Sequence, residues 1–81
     1  MTADETARAD AARTVILDAV RTGQAVEFLY FKEKTGETTR REGKALDVFS
    51  SGSKESAFIE HEDGIKKSYN LRNILRIKFA E

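Results

Sequence analysis

Lys67, Tyr69, Arg72 and Asn73 lie close together near the carboxyl end of the chain, and Arg41 and Tyr30 occupy earlier stretches of alternating pattern. Together these types could hold an anionic ligand: a cation for phosphate, an aromatic face for a base, and an amide for a base edge or sugar hydroxyl. Arg40 and Arg41 must point to opposite faces of a strand, so at most one joins a given patch, and Arg41 is the candidate. Tyr30 shares a strand face with Val26 and Phe28, which suits a core tyrosine as well as one whose hydroxyl reaches the patch. The same residues also admit a structural reading. Tyr69 would then pack in the core, Lys67 would be solvated at a sheet edge, and Asn73 would cap a bend with its amide.

Other chemistry finds less support. His61 is the sole histidine and stands beside Glu60, Glu62 and Asp63; an acidic hairpin rim of this kind is expected to be solvated, and no metal site is assigned to it. With no cysteine, a disulfide framework, a thiolate zinc site and a thiol nucleophile are excluded. No serine–histidine pairing, desolvated carboxylate pair or phosphate-cradling glycine loop is recognisable, so no catalytic residue, cofactor or enzymatic activity is expected.

The elements that must position these residues follow from periodicity. Thr2 and Glu5 fit a capping box at a helix start. Ala12, Val15, Ile16, Ala19 and Val20 then form an apolar stripe, and Gly23 supplies a left-handed stop. This predicts a helix to about residue 22, with residues 1–10 fraying because alanine buries little area. The period changes to two at Ala25, and strands are predicted over 25–32, 38–49, 55–61, 65–70 and 74–79. Lys34-Thr35-Gly36-Glu37 and Ser50-Ser51-Gly52-Ser53 are turns, and Asp63-Gly64 signals a two-residue hairpin. Gly43 interrupts the second strand and marks a bulge or sharp bend, after which Leu46 and Val48 resume the inward pattern. Leu71-Arg72-Asn73 makes a short bend between the last two strands.

The expected fold is α+β and mainly β: a helix followed by five strongly bent antiparallel strands that close into a small barrel. At 81 residues, 40% hydrophobic and 35% charged, the chain suits a single domain over 1–81. No apolar run is long enough for a signal peptide or a membrane span, so no membrane partner is expected and cytoplasm is the default. Fourteen basic residues balance fourteen acidic ones, but the last quarter carries Lys66, Lys67, Arg72, Arg76 and Lys78 against Glu81 alone. Any attraction to polyanions is therefore local.

The order of elements and several residues resemble the WYL domain, a bacterial module with an Sm-like barrel. The matching features run from Ile16 to Ile77. They are Ile16, Ala19 and Gly23 in the helix, Val26-x-Phe28-x-Tyr30 in the first strand, Gly36 and Arg41, and Lys67-x-Tyr69-x-Leu71-x-Asn73-Ile74 near the end. Ala57-Phe58-Ile59 stands where the family has its tryptophan-tyrosine-leucine triplet. The proline usual after the second-strand arginine is missing, and Asn73 replaces an arginine, which removes a bidentate anion fork. The resemblance implies a freestanding, divergent member of a family associated with transcription regulation and phage defence. It implies a regulatory module that binds single-stranded nucleic acid or a nucleotide-like ligand through Lys67, Tyr69, Asn73, Arg41, Arg72 and Tyr30. The neutral net charge and the missing arginine leave open a protein-interaction or self-assembling factor, with a protein partner or further copies of the chain in place of a nucleic acid.

Overall fold

The computed structural model describes residues 2–80. Helix α1 (Ala3–Thr22) is followed by β1 (Ala25–Phe31), β2 (Thr38–Ser51), β3 (Lys54–Glu60), β4 (Lys66–Asn70), a 3-10 turn (Leu71–Asn73) and β5 (Ile74–Phe79). The Thr2 side chain accepts a hydrogen bond from the Glu5 amide, and Gly23 ends the helix at φ 75°. Ala9, Ala12, Ile16 and Ala19 are the buried helical residues, a stripe at three- and four-residue spacing whose small members let the helix lie close on the sheet.

All pairings are antiparallel, in the order β4-β3-β2-β1-β5. Consecutive strands β4 and β5 thus form the two outer edges of one sheet while only the turn Leu71–Asn73 separates them. A connection that short spans about 14 Å at most, so the sheet must curl until its edges meet at that end. The expected hydrogen-bonded closure of a barrel is not reached, because β4 and β5 are not paired with each other. Leu71, fully buried, lies in the turn, which packs against α1.

β2 carries most of the curvature. Its 14 residues would extend about 46 Å if straight, yet the molecule's longest dimension is 31 Å. Two local devices bend it. Gly43 is the site of closest approach: a Cβ there would lie 2.6 Å from the Glu60 carbonyl oxygen and 2.6 Å from the Ile59 side chain. The bulge expected at that glycine occurs instead at Leu46, where the β2–β3 register slips between Ala45↔Ile59 and Asp47↔Phe58. Ala45, not Leu46, is consequently the buried inward residue.

Opposed residues of an antiparallel pair share a face, so the register assigns the inner side of the sheet. Val26, Phe28 and Tyr30 of β1 face inward with Gly43, Arg41 and Thr39 of β2. Ala57 and Ile59 of β3 face inward with Tyr69 and Lys67 of β4. Phe28, Ile59, Tyr69, Leu71 and Ile74 join the helix stripe in one core. Glu27, Leu29, Arg40 and Glu42 lie on the outer side. The Asp63-Gly64 connection is longer than a two-residue turn: the His61 amide donates to the Ile65 carbonyl and the Gly64 amide to the His61 carbonyl. Residues 62–64 form a three-residue loop with Gly64 at φ 85°, a geometry that continues the strand twist.

Candidate functional site

Of the six proposed ligand residues, Tyr30, Tyr69, Arg41 and Lys67 face the inner side of the sheet by register, and Arg72 and Asn73 lie in the turn that follows β4. Arg41 lies opposite Phe28 and Tyr30 opposite Thr39 through the β1–β2 register. Tyr69 is placed opposite Ala57 on β3 and is 4% exposed. Its ring meets Tyr30 edge-on at 4.8 Å and Phe28 at 5.2 Å. Tyr69 therefore offers no free face for a stacked base, whereas Tyr30, only half-buried, sits at the margin of the aromatic group. The Tyr30 hydroxyl accepts a hydrogen bond from the Asn70 amide at 3.2 Å, leaving its own hydrogen to donate elsewhere. Lys67, one position pair further along β4, is exposed.

Arg72 and Asn73 are engaged by the β1–β2 loop. Glu33 approaches Arg72 at 3.6 Å and accepts a hydrogen bond from the Asn73 side-chain amide at 3.3 Å. Asn73 does not cap the bend. That role falls to Asn70, whose side chain accepts from the Arg72 amide, because a cap must precede the amides it satisfies. Arg41 has no carboxylate partner among the described residues. Its Nε, the Nε atoms of Arg8 and Arg72, and the Thr39 hydroxyl are buried without a hydrogen-bond partner among the described residues. Thr39 and Arg41 are two positions apart on the same strand face, so two of these orphaned groups share one surface. Buried polar groups are paired in the great majority of cases.

His61 belongs to this cluster, contrary to the solvated rim expected of it. Its Nδ1 lies 3.0 Å from the Glu42 carbonyl oxygen and its Nε2 lies 2.6 Å from the Tyr69 hydroxyl. A carbonyl only accepts, so Nδ1 donates to it, and Nε2 and the Tyr69 hydroxyl share the second hydrogen bond. The signal was present in the period of two, since Ala57, Ile59 and His61 fall on one face of β3 and its extension. Among the described residues no group of three or more histidine, aspartate and glutamate side chains is arranged to hold a metal ion.

Burial pushes the Tyr69 hydroxyl above the ordinary phenol value of 10.0, the Arg41 guanidinium opposes that shift, and Tyr30 adds to it. Because the folded state holds this proton more tightly, its contribution to stability is complete below pH 10 and is lost as pH rises through the folded value. Denaturant midpoints measured from pH 8 to pH 11.5 are expected to fall above about pH 10, with the fall reduced in Tyr69→Phe; equal falls in both proteins would show that other groups govern alkaline unfolding.

The sequence matches no protein-family model and no curated protein. Among solved structures, the fold is similar to part of the proteasome accessory factor B/C (PafBC) of Arthrobacter aurescens. The TM-score is 0.79 at 21% identity, over 88% of this chain and 11% of that one. The chain thus corresponds to about a tenth of its neighbour's length, and at this identity what the two share is the fold: an amino-terminal helix on a curled, five-stranded antiparallel sheet, mainly β in content.

Proposed function

We propose that the chain is a WYL-like regulatory module that binds a single-stranded nucleic acid or a nucleotide-like anion on the inner face of its curled sheet. The observation that carries this reading is Arg41: a guanidinium without a carboxylate partner among the described residues, its Nε and the neighbouring Thr39 hydroxyl buried and unbonded. In this reading Arg41 and Lys67 hold phosphate, Tyr30 supplies a base-stacking edge and a hydroxyl donor, and the His61–Tyr69 pair buttresses Tyr30 from behind. Arg72 and Asn73 join once phosphate displaces Glu33 from them. The WYL-type order of residues and the fold shared with an accessory factor support a regulatory role.

Fluorescence anisotropy with labelled single-stranded oligonucleotides at low salt tests this directly. Arg41→Ala is expected to weaken binding roughly tenfold or more, the worth of a charge-assisted, bidentate contact. Arg41→Lys should recover only part of it, since a point charge lacks the fork. Absence of binding to the unsubstituted protein at low salt, or equal affinity in Arg41→Ala, would remove the reading.

A second reading, docking to a protein partner, is favoured by one feature. An open groove of about 560 Å³ runs between α1 and β5, lined by Thr14, Val15, Leu17, Asp18, Arg21 and Phe79, and Leu17 is 50% exposed. A module working in this way would keep its partner in Arg41→Ala and lose it in Leu17→Asp.

A further inference from the structure

The outer face of the sheet carries a second concentration of cations, organised around an irregularity in β5. Between the pairs Glu27↔Lys78 and Leu29↔Leu75, β1 advances by two residues and β5 by three, so β5 holds one extra residue there. Arg76 lies in that step at φ 50°, and it is the only residue other than glycine with positive φ among the described residues. Left-handed backbone costs a residue with a side chain roughly 1–2 kcal/mol, and glycine is the usual occupant of such a step. An arginine at this position is an outlier of the kind that points toward function.

The bulge opens a shallow depression of about 200 Å³ lined by Glu27, Phe28, Leu29, Arg40, Arg76 and Lys78. Glu27 is the only carboxylate in the lining. It is held by Lys78 at 2.9 Å and by Arg40, which together keep its carboxyl below the ordinary range, Lys78 most strongly. Both cations line the depression. Arg40 makes its contacts to Glu27 and Glu42 through Nη2, and its Nη1 and Nε donors have no hydrogen-bond partner among the described residues. Arg76 is exposed and has no carboxylate partner among the described residues. Three cations around Glu27, with Glu42 also on Arg40 from outside the lining, and Leu29 beside them, form a receptor for a tetrahedral anion with several acceptor oxygens.

From this we propose that the outer depression beside the β5 bulge is a phosphate site, in which Arg76, Arg40 and Lys78 hold a backbone phosphate of a single-stranded nucleic acid. The partner class rests on the function proposed above; the anion site rests on the geometry alone. The strand engaged by Arg41 on the inner face would cross the unpaired edge of β5 to reach it. Arg76 would then be kept at the bulge at the expense of backbone strain, because only a side chain there completes the cation set.

Two measurements on the full chain test this. In heteronuclear NMR, inorganic phosphate at low salt is expected to shift the resonances of Arg40, Arg76 and Lys78. In anisotropy with labelled oligothymidylate, Arg76→Gly is expected to weaken binding roughly three- to tenfold, and to lower the salt slope by about 0.7. The same variant should melt at the same or a higher temperature, since it removes the strain. Arg76→Lys should bind nearly as well as the unsubstituted protein. The opposed signs in Arg76→Gly, affinity down and stability unchanged or up, separate a binding role from a structural one. Unchanged affinity in Arg76→Gly, with no phosphate-induced shift at the three residues, would overturn the proposal even if Arg41→Ala abolishes binding. Phosphate shifts in a protein that binds no oligonucleotide would support the anion site and sink the nucleic-acid reading.

Discussion

Replacement of Gly43 by alanine is expected to destabilise the protein by about 3 kcal/mol, at the upper end of the cost of overfilling a packed interior. In a domain of this size that corresponds to a fall in melting temperature of roughly 12–24 °C. The reason is space. The added methyl would sit 2.6 Å from the Glu60 carbonyl oxygen and 2.6 Å from the Ile59 side chain. The isoleucine can rotate away, but the carbonyl belongs to the β2–β3 ladder, next to the Lys44↔Glu60 pair, and cannot move without opening it. The turn glycines provide the contrast. Gly36 and Gly52 have φ of 73° and 63°, with open space where an added methyl would stand, so alanine there costs only the left-handed conformation, about 1–2 kcal/mol. Thermal melts followed by circular dichroism rank the three variants. A Gly43→Ala protein that melts within a few degrees of the parent would show that β2 and β3 do not approach as closely as this.

Phe28→Ala is expected to be more severe, at about 3–5 kcal/mol. Phe28 is 2% exposed, lies between the helix-covered core and the inner-face site, and meets Tyr69 edge-on at 5.2 Å, a contact worth about 0.5–1.5 kcal/mol beyond its area. A chain of this length has a total stability of about 4–12 kcal/mol, so the loss approaches the whole margin. The expected result is a protein with collapsed amide dispersion or a melt without a native baseline. Phe28→Leu, which keeps most of the volume but loses the edge-on contact with Tyr69, should remain folded at a cost of about 1–3 kcal/mol. It provides the background in which Arg41 can be studied with its underlying support changed. A well-dispersed Phe28→Ala spectrum with a near-parental melt would mean that the core does not depend on the β1 aromatic.

Much of the architecture follows from local pattern. The helix stop at Gly23, the alternation of Val26, Phe28 and Tyr30, and the split of Arg40 and Arg41 onto opposite faces need only the periods of helix and strand. The bend Leu71–Asn73 was legible in the same way, although its cap is Asn70. The two-residue reading of Asp63-Gly64 missed by one residue, because a turn dipeptide marks where the chain reverses and not how many residues the flanking pair leaves between them. Gly43 was read as a bulge or sharp bend, but the bulge lies at Leu46 and the glycine instead makes room for the Glu60 carbonyl and the Ile59 side chain. The bulge at Leu46 and the close approach at Gly43 are two separate answers to the curvature of one long strand.

The candidate site was legible as a set of residue types and opaque as an arrangement. Period alone puts Tyr30 on the face of Val26 and Phe28, Lys67 on the face of Tyr69, and Arg41 opposite to Arg40; it does not tell which strands become neighbours, so it could not bring Tyr30 beneath the Asn70 amide, 40 residues away. Nor could it show Glu33 holding Arg72 and Asn73, or His61 bonded to Tyr69. The residue types and periods along the chain determine the elements, their inward faces and a basic carboxyl-terminal quarter, because these depend on interactions within a few residues. Tertiary structure alone decides that β4 and β5 end as opposite edges not paired with each other, that Tyr69 is enclosed while Tyr30 remains half-exposed, and that Arg41 has no carboxylate partner among the described residues while Arg40 is tied to Glu27. Those outcomes depend on which strands meet, at what register and with what curvature, and they are resolved only when the whole sheet curls around Leu71 and the helix.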